Sequence, residues 1–430
     1  MEGKSRWRTY KPGMKDAEKG LKALLSRDAE TMRPSPIRDL AKLAADPDII
    51  SLAGSQPSEE AFPLEEIREV LAGLVAKLPA RALQYGLTKG DDELRDVALK
   101  MMARRGIEAS REEVILTNGS QRALDLIGRV LIDPGDAVIT EMPTYTGAIA
   151  CFRNLRARLL GVPQDEDGMR IDKLERVIAK ARVEGLDLKL LYLIPTFQNP
   201  SGATLSPERR KELIEIAERE NLLILEDDPY SELFFDEQPP ASPVASLSSD
   251  RVLYLSSFSK ILAPGLRTAF LRGPQELIKI IEQAAQASDL SAGTLDQRLI
   301  LELCHSGVMR RSIDNARVFY RKQRDVLLAG LEEFMPAGIT WNVPRGGFFT
   351  WVKLPEAINS EALLQGAIKQ GVLFVPGPHF FVDGSGSDTL RLCFSEQPAK
   401  KLRQGVASLA TAVRFYDLPS TIPWALGECC

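Results

Sequence analysis

Between residues 114 and 271 the chain alternates short apolar runs with stretches long enough for helices, and this alternation narrows the fold more than any other feature. The runs lie at 114–117, 137–140, 190–194, 222–225, 252–255 and 268–271. Each is strand-length and mostly apolar, the pattern of a strand buried on both faces. Between them come helical signals. Ser206 and Pro207 stand as N-cap and first helical residue of a helix to about 220, and Leu124, Ile127 and Val130 form a stripe after Gln121. Strands that alternate with helices predict a doubly wound, mainly parallel sheet. Ahead of it, 49–54 reads as a short strand, and Ile67, Val70, Leu71, Leu74 and Leu78 line one face of a helix over 64–78, with another helix at 91–105.

After residue 272 the pattern changes. Two long helical patterns cover 275–305 and 308–335, followed by a mixture of strands at 347–352 and 390–395 and helices at 360–370 and 398–415. The change predicts a large α/β domain at 61–310 and a smaller α+β domain at 311–430. Residues 36–60 are read as the N-terminal part of the small domain, and 1–35 as a separate segment with helical character at 15–25.

Composition excludes several function classes. The 430 residues are 44% hydrophobic and 27% charged, with a net charge of −4 and both signs interspersed. A nucleic-acid partner calls for a basic stripe that is absent here. No apolar run reaches membrane-spanning length, and the charged N-terminus lacks a signal-peptide core, so a cytoplasmic protein with no membrane partner is expected. The five cysteines form no CxxC pair, and the two histidines, His305 and His379, are not at metal-ligand spacing, so no metal site is expected.

Polar residues suited to chemistry stand at the ends of the apolar runs: Gly119 with Ser120, Tyr145, Asn199, Asp227 with Tyr230, and Ser257 with Lys260. In a parallel sheet the carboxyl ends of the strands share one edge, where ligands bind. A lysine just past a buried strand, with Arg267 seven residues on, has its pKa lowered by desolvation and by the neighbouring cation, which makes its amine a nucleophile toward carbonyls. Hydroxyls and an arginine suit a phosphate. Each residue also has a plainer reading: a turn at Gly119 and at Asn199, core at Tyr145, a helix cap at Asp227, a polar loop at Lys260. Their common position at strand ends favours convergence.

The ordered motifs Ser51-Leu52-Ala53-Gly54, Leu83-Gln84-Tyr85-Gly86, Thr117-Asn118-Gly119-Ser120-Gln121, Pro143-Thr144-Tyr145, Gln198-Asn199-Pro200-Ser201-Gly202, Asp227-Asp228-Pro229-Tyr230, Ser257-Phe258-Ser259-Lys260, Pro344-Arg345-Gly346-Gly347, Val375-Pro376-Gly377 and Leu390-Arg391-Leu392 resemble those of class I aminotransferases among the fold-type I pyridoxal-phosphate enzymes. The resemblance covers about residues 35–415 and is nearest the branch with 2-aminoadipate, kynurenine and multisubstrate aromatic aminotransferases. It implies a mainly parallel seven-stranded sheet in a large domain, with a small α+β domain. It implies pyridoxal 5'-phosphate as cofactor, joined to Lys260 as a Schiff base, with the freed Lys260 amine then moving the substrate's Cα proton.

The resemblance assigns the remaining roles. Asp227 pairs with the pyridine nitrogen, Asn199 and Tyr230 with the phenolic oxygen, and Tyr145 stacks on the ring. Ser257, Ser259, Arg267 and the Ser120 and Gln121 amides after Gly119 take the phosphate, and Tyr85 reaches the phosphate of the neighbouring subunit in a homodimer. Arg391 grips the substrate carboxylate, and Gly54 lets backbone approach it. Asn199 also faces the substrate. Arg122 departs from the family pattern and is read as facing solvent, while Arg33 and Arg38 fall in a segment that can fold over the site in this branch. The activity expected is transfer of an amino group from a large apolar, aromatic or 2-aminoadipate-like amino acid to a 2-oxo acid, 2-oxoglutarate, by a ping-pong mechanism. Competing readings are a β-lyase or decarboxylase on the same cofactor, and a ligand-sensing regulator domain. The 35 residues before the resemblance are too few for a DNA-binding module.

Overall fold

The apolar runs form one sheet. The computed structural model describes residues 42–77 and 79–416, together with 23–26, 29, 32 and 40. Arg33, Arg38, Cys429, Cys430 and most of the expected 15–25 helix lie outside the described residues; residues 23–25 are turn and bend. The strands in chain order are β1 (Ile50–Ser51), β2 (Val114–Thr117), β3 (Ala137–Met142), β4 (Arg158–Asp165), β5 (Gly168–Met169), β6 (Leu188–Leu193), β7 (Leu223–Asp227), β8 (Val252–Ser257), β9 (Ala269–Arg272), β10 (Thr340–Trp341), β11 (Phe349–Lys353), β12 (Val372–Leu373), β13 (Val375–Pro376) and β14 (Thr389–Cys393).

The large sheet has the order β2-β9-β8-β7-β6-β3-β4-β5. From β8 to β4 every neighbouring pair is parallel; β9 runs antiparallel to both β8 and β2. Seven strands match the expectation. The eighth, β5, is a two-residue hairpin return antiparallel to β4. The central strands β6, β7 and β8 are almost wholly buried, because helices cover both faces as parallel connections require. Chain order reverses between β3 and β6, since β3 is followed by β4 on one side while β6 lies on the other. A crevice outside the carboxyl ends is expected at such a reversal.

Two features differ from the sequence reading. β4, absent from the sequence reading, has only Val162 fully buried among its eight residues, with Leu159 and Leu160 partly buried against the core. The helical pattern at 275–305 is two helices, Gln275–Gln286 and Thr294–His305. At the break, Leu290 takes a φ of 65°, and Asp289 accepts hydrogen bonds from Arg122 and Asn118. Arg122 is therefore not a solvent-facing cation: it is half-buried, paired with Asp289 at 3.0 Å and also with Asp125.

The C-terminal part builds a second, antiparallel sheet in the order β10-β11-β14-β13. β1 pairs in parallel with β12 in a separate two-stranded sheet, Ile50 opposite Val372. The 27-residue helix Val308–Phe334 packs along the last helix, Ala399–Arg414. Arg391 in the middle of β14 faces back toward the large sheet, with its guanidinium 4.3 Å from the Phe349 ring centroid.

Candidate active site

One cleft gathers side chains from the carboxyl ends of the large sheet. Its lining includes Ser120 and Gln121 after β2, Tyr145 after β3, Asn199 after β6, Asp227 and Tyr230 at and after β7, and Ser257, Ser259, Lys260 and Arg267 at and after β8. The sequence candidates thus converge from segments up to 147 positions apart. Ser55, Ile194, Pro229 and Pro264 complete the wall. Pro229 belongs to the Asp227-Asp228-Pro229-Tyr230 motif, while the other three were given no role, since a serine in a loop and two apolar residues look the same in a wall as elsewhere.

Asp227 closes β7 and is 4% exposed. Its Oδ2 accepts a hydrogen bond from the Tyr192 hydroxyl at 2.9 Å, while Oδ1 has no hydrogen-bond partner among the described residues. A buried carboxylate oxygen without a partner is expensive to leave so. Burial raises the Asp227 carboxyl to about 7, the Tyr192 hydrogen bond pulls it down, the Asp228 charge pushes it up and the Lys260 charge lowers it. The adjacent Asp228 has both oxygens engaged, by Tyr254 at 2.8 Å and the Ser231 amide at 3.2 Å.

Lys260 lies three residues beyond β8 and is half-buried. Its Nζ donates to the Ser55 carbonyl at 2.8 Å. Burial above all brings its amine down to about 8, with the Cys393 thiol raising it and the Arg391 and Arg267 charges lowering it further. Such an amine is far more often neutral near pH 7 than an exposed lysine.

A cradle of donors sits at one end of the cleft. Helix Ser120–Leu131 begins at Gly119, whose φ of 84° suits glycine, and its first amides point outward at the positive end of the helix dipole. A Cβ on Gly119 would collide with the Arg267 guanidinium, so glycine is what lets that arginine lie across the helix start. Arg267 donates only to the Pro264 carbonyl at 3.3 Å and has no carboxylate partner among the described residues. Ser257 and Ser259 pair their hydroxyls at 2.9 Å beside it. Gln121 and Tyr145 approach each other at 3.4 Å across the mouth.

On the opposite side, the fully buried Arg391 donates Nη1 to Asn199 Oδ1 at 3.0 Å and Nη2 to the carbonyls of Ala53 and Gly54 at 2.8 and 2.9 Å. Its Nε has no partner among the described residues. Burial lowers the guanidinium pKa from its ordinary value. Gly54 itself packs under Glu396, and a Cβ there would strike that carboxylate. Asn199 and Tyr230 are both buried, and Tyr230 packs edge-on against Phe348 and Phe349 at 5.5 and 5.8 Å.

Tyr85 is the one sequence candidate far from this cleft. It is 79% exposed and lines a separate surface depression with Gly86, Leu87 and Arg298.

The donor set fits a phosphorylated pyridine well. It offers an anion cradle, one unpaired buried carboxylate oxygen, a lysine amine of lowered pKa and a separate cationic grip, all at the sheet's carboxyl edge. Comparison with known proteins agrees. Residues 47–409 match the family model "Aminotransferase class I and II". An aromatic-amino-acid aminotransferase of Thermococcus litoralis is 41% identical over 390 residues, covering 90% of this chain and 94% of the relative. A kynurenine aminotransferase of Pyrococcus horikoshii, solved with PMP, superposes with a TM-score of 0.88 at 40% identity, covering 92% of this chain and 98% of that one. An α-aminoadipate aminotransferase of Thermus thermophilus, complexed with N-(5'-phosphopyridoxyl)-L-leucine, gives a TM-score of 0.85 at 36% identity, with the same coverage. On the strength of both the motifs and these matches, the chain belongs to the class I and II aminotransferases.

Proposed function

We propose that the protein is a pyridoxal 5'-phosphate-dependent aminotransferase that takes large apolar, aromatic or 2-aminoadipate-like amino acids as donors and 2-oxoglutarate as acceptor, in a ping-pong cycle. The observation that carries this reading is the lowered-pKa Lys260 amine in the same cleft as a buried, half-satisfied Asp227 carboxylate. Bound there, pyridoxal phosphate supplies an electron sink for the bonds at the substrate Cα. Asp227 Oδ1 holds the ring nitrogen's proton. Asn199 and Tyr230, which line the same cleft, would hydrogen-bond the ring's phenolic oxygen, and Tyr145 would stack on the ring. The amides of Ser120 and Gln121, the hydroxyls of Ser257 and Ser259, and Arg267 hold the phosphate. Lys260 anchors the cofactor and, once released, its amine carries the proton to and from Cα. Arg391 takes the substrate carboxylate, with the Ala53–Gly54 carbonyls positioned to keep the guanidinium in place between turnovers.

The substrate range rests on the aromatic, kynurenine and α-aminoadipate relatives. Pairing of β1 with β12 supports counting residues 36–60 with 311–430 as a small domain beside a large one at 61–310. The exposed Tyr85, Leu83 and Leu87 support a homodimer in which Tyr85 reaches the partner's phosphate cradle. Free Cys151, Cys304 and Cys393 support a reducing compartment, the cytoplasm.

Borohydride reduction followed by peptide mass analysis tests the centre of the proposal: the pyridoxyl adduct is expected on Lys260, and an adduct on another lysine overturns it. A panel of amino acids with 2-oxoglutarate tests the reaction. Glutamate should accumulate with aromatic and 2-aminoadipate donors. Release of pyruvate or carbon dioxide instead would make the protein a lyase or decarboxylase, absence of turnover would make it a sensor, and aspartate as best donor would overturn the substrate class.

A further inference from the structure

Two consecutive carboxylates at the end of β7 are each approached by a tyrosine from a neighbouring strand. In the ladder, Leu225 lies opposite Tyr192 of β6, and Glu226 lies opposite Tyr254 of β8. Side chains two residues apart on a strand share a face. Tyr192 therefore shares the face of Asp227, and Tyr254 that of Asp228. Each hydroxyl donates to the carboxylate, at 2.9 and 2.8 Å respectively. The two outcomes differ. Asp228 is also held by the Ser231 amide, with the Arg105 guanidinium 3.8 Å away, so its oxygens are both accounted for. Asp227 is held at Oδ2 alone.

Resting on the aminotransferase reading, we propose that Tyr192 is a positioning residue: its hydroxyl fixes Asp227 Oδ2 and leaves Oδ1 as the acceptor for the cofactor's ring nitrogen. Tyr192 is fully buried and locked by an edge-on contact with Phe152 at 5.8 Å between centroids. It is not among the residues that line the cleft, and its hydroxyl meets the cleft's Asp227. Its hydrogen bond favours the ionised carboxylate, the form that keeps a pyridine nitrogen protonated. The other charged and titratable groups around the pair are Asp228 on the same strand end, Lys260 after β8, Glu141 at the end of β3, and Tyr145 and Tyr230 on the cleft walls.

The test uses the full chain, Tyr192→Phe, which keeps the ring and its packing, and Tyr254→Phe as the matched change on the other carboxylate. Two readings are taken: the Asp227 carboxyl titration by carbon-13 NMR on chain stripped of cofactor, and the dissociation constant for pyridoxal phosphate from visible absorbance. A hydrogen bond to a charged group is strong enough that Tyr192→Phe should raise the Asp227 midpoint by about one pH unit and weaken cofactor binding about tenfold. Tyr254→Phe should leave cofactor binding unchanged. An unmoved midpoint, a moved midpoint with unchanged cofactor affinity, or equal loss in both variants overturns the proposal. Nitrogen-15 NMR of labelled cofactor in the unmutated enzyme adds a measurement independent of folding defects, and an unprotonated ring nitrogen there also overturns it. A wild type that binds no pyridoxal phosphate at all sinks the aminotransferase reading, and the positioning role with it, while the carboxyl titration still reports separately whether Tyr192 governs Asp227.

Discussion

At the floor of the cleft Asp227 is 4% exposed and Lys260 is half-buried, whereas on the outer flank Tyr85 stands 79% exposed between Leu83 and Leu87, at 71% and 65%. The floor is assembled by the sheet: strands that are buried for packing reasons end together, and the polar residues at their ends are carried inward with them. Its groups are strained electrostatically, with a carboxyl raised to about 7 and an amine lowered to about 8. The flank has none of this. Large apolar side chains exposed together suggest a surface awaiting a partner. The floor draws its groups from the sheet of its own chain, whereas Tyr85 would act only if a second chain met it.

The largest break in this comparison is at the floor. Lys260→Ala should reduce transamination by at least the 10²–10⁴-fold that a positioned general base contributes, roughly, with further loss from the missing covalent anchor. Lys260→Arg should not rescue turnover, because a guanidinium stays protonated. Single-turnover absorbance with a good donor measures both. Retention of full activity in Lys260→Ala would return that residue to an ordinary loop role.

Second is the pH behaviour of the chain stripped of cofactor. The Asp227 carboxyl is raised from 3.8 to about 7, so between those values the folded chain holds a proton that the unfolded chain has released. The resulting stability is fully present below about pH 4 and is lost as pH rises through about 7. A tenfold change in proton affinity corresponds to about 1.4 kcal/mol, so the full loss is on the order of a few kcal/mol. Asp227→Asn should flatten this slope. Urea midpoints measured from pH 4 to 8 decide it, and identical slopes for the two chains would mean that Asp227 is hydrated.

These two residues also mark what was legible in the sequence. β2, β3, β6, β7, β8 and β9 stand out because burial on both faces demands apolar runs, and Asp227 and Lys260 could be picked as the polar residues just beyond them. β4 escaped because only Val162 is fully buried, with Leu159 and Leu160 only partly buried against the core. The break at 287–293 escaped because its cause is remote: Asp289 is drawn to Arg122 and Asn118, more than 160 positions earlier. Tyr192 was invisible for the opposite reason. It sits inside an apolar run, where a tyrosine reads as core, and only the strand register shows its hydroxyl on Asp227. Likewise nothing local in Leu390-Arg391-Leu392 reveals that the arginine meets the carbonyls of Ala53 and Gly54. Local pattern reports burial, while the pairing of distant groups depends on topology.

Third comes Arg391, which bridges the small sheet and the floor. Its contact with a substrate carboxylate is charge-assisted, so Arg391→Ala should lower kcat/KM by about 1.5–3 kcal/mol, roughly 10- to 150-fold. The loss should be uniform across amino and 2-oxo acids, since all share the carboxylate. Steady-state kinetics over the donor panel measures it. Loss confined to some substrates would reassign Arg391 to the side chain.

The smallest effect is expected on the flank, and it sharpens the comparison most. Within one chain Tyr85 is an exposed residue, and its backbone amide has only a local partner, donating to Gln84 Oε1 at 3.0 Å. Tyr85→Phe should therefore change the unfolding free energy by no more than about 0.5 kcal/mol, the usual range for a surface substitution. If the partner's phosphate lies against that hydroxyl, the same change should weaken retention of pyridoxal phosphate several-fold, and only in the dimer. Light scattering on the active preparation, combined with cofactor release during gel filtration, separates the cases. A mass near the single-chain 47.5 kDa in a fully active sample would remove the composite site and leave Leu83, Tyr85 and Leu87 as unexplained surface. A dimer whose cofactor retention ignores Tyr85→Phe would keep the interface and strip the tyrosine of its role. A dimer that releases cofactor faster at unchanged stability is the expected result, because only a contact made across the interface can affect the cradle without disturbing the fold that carries it.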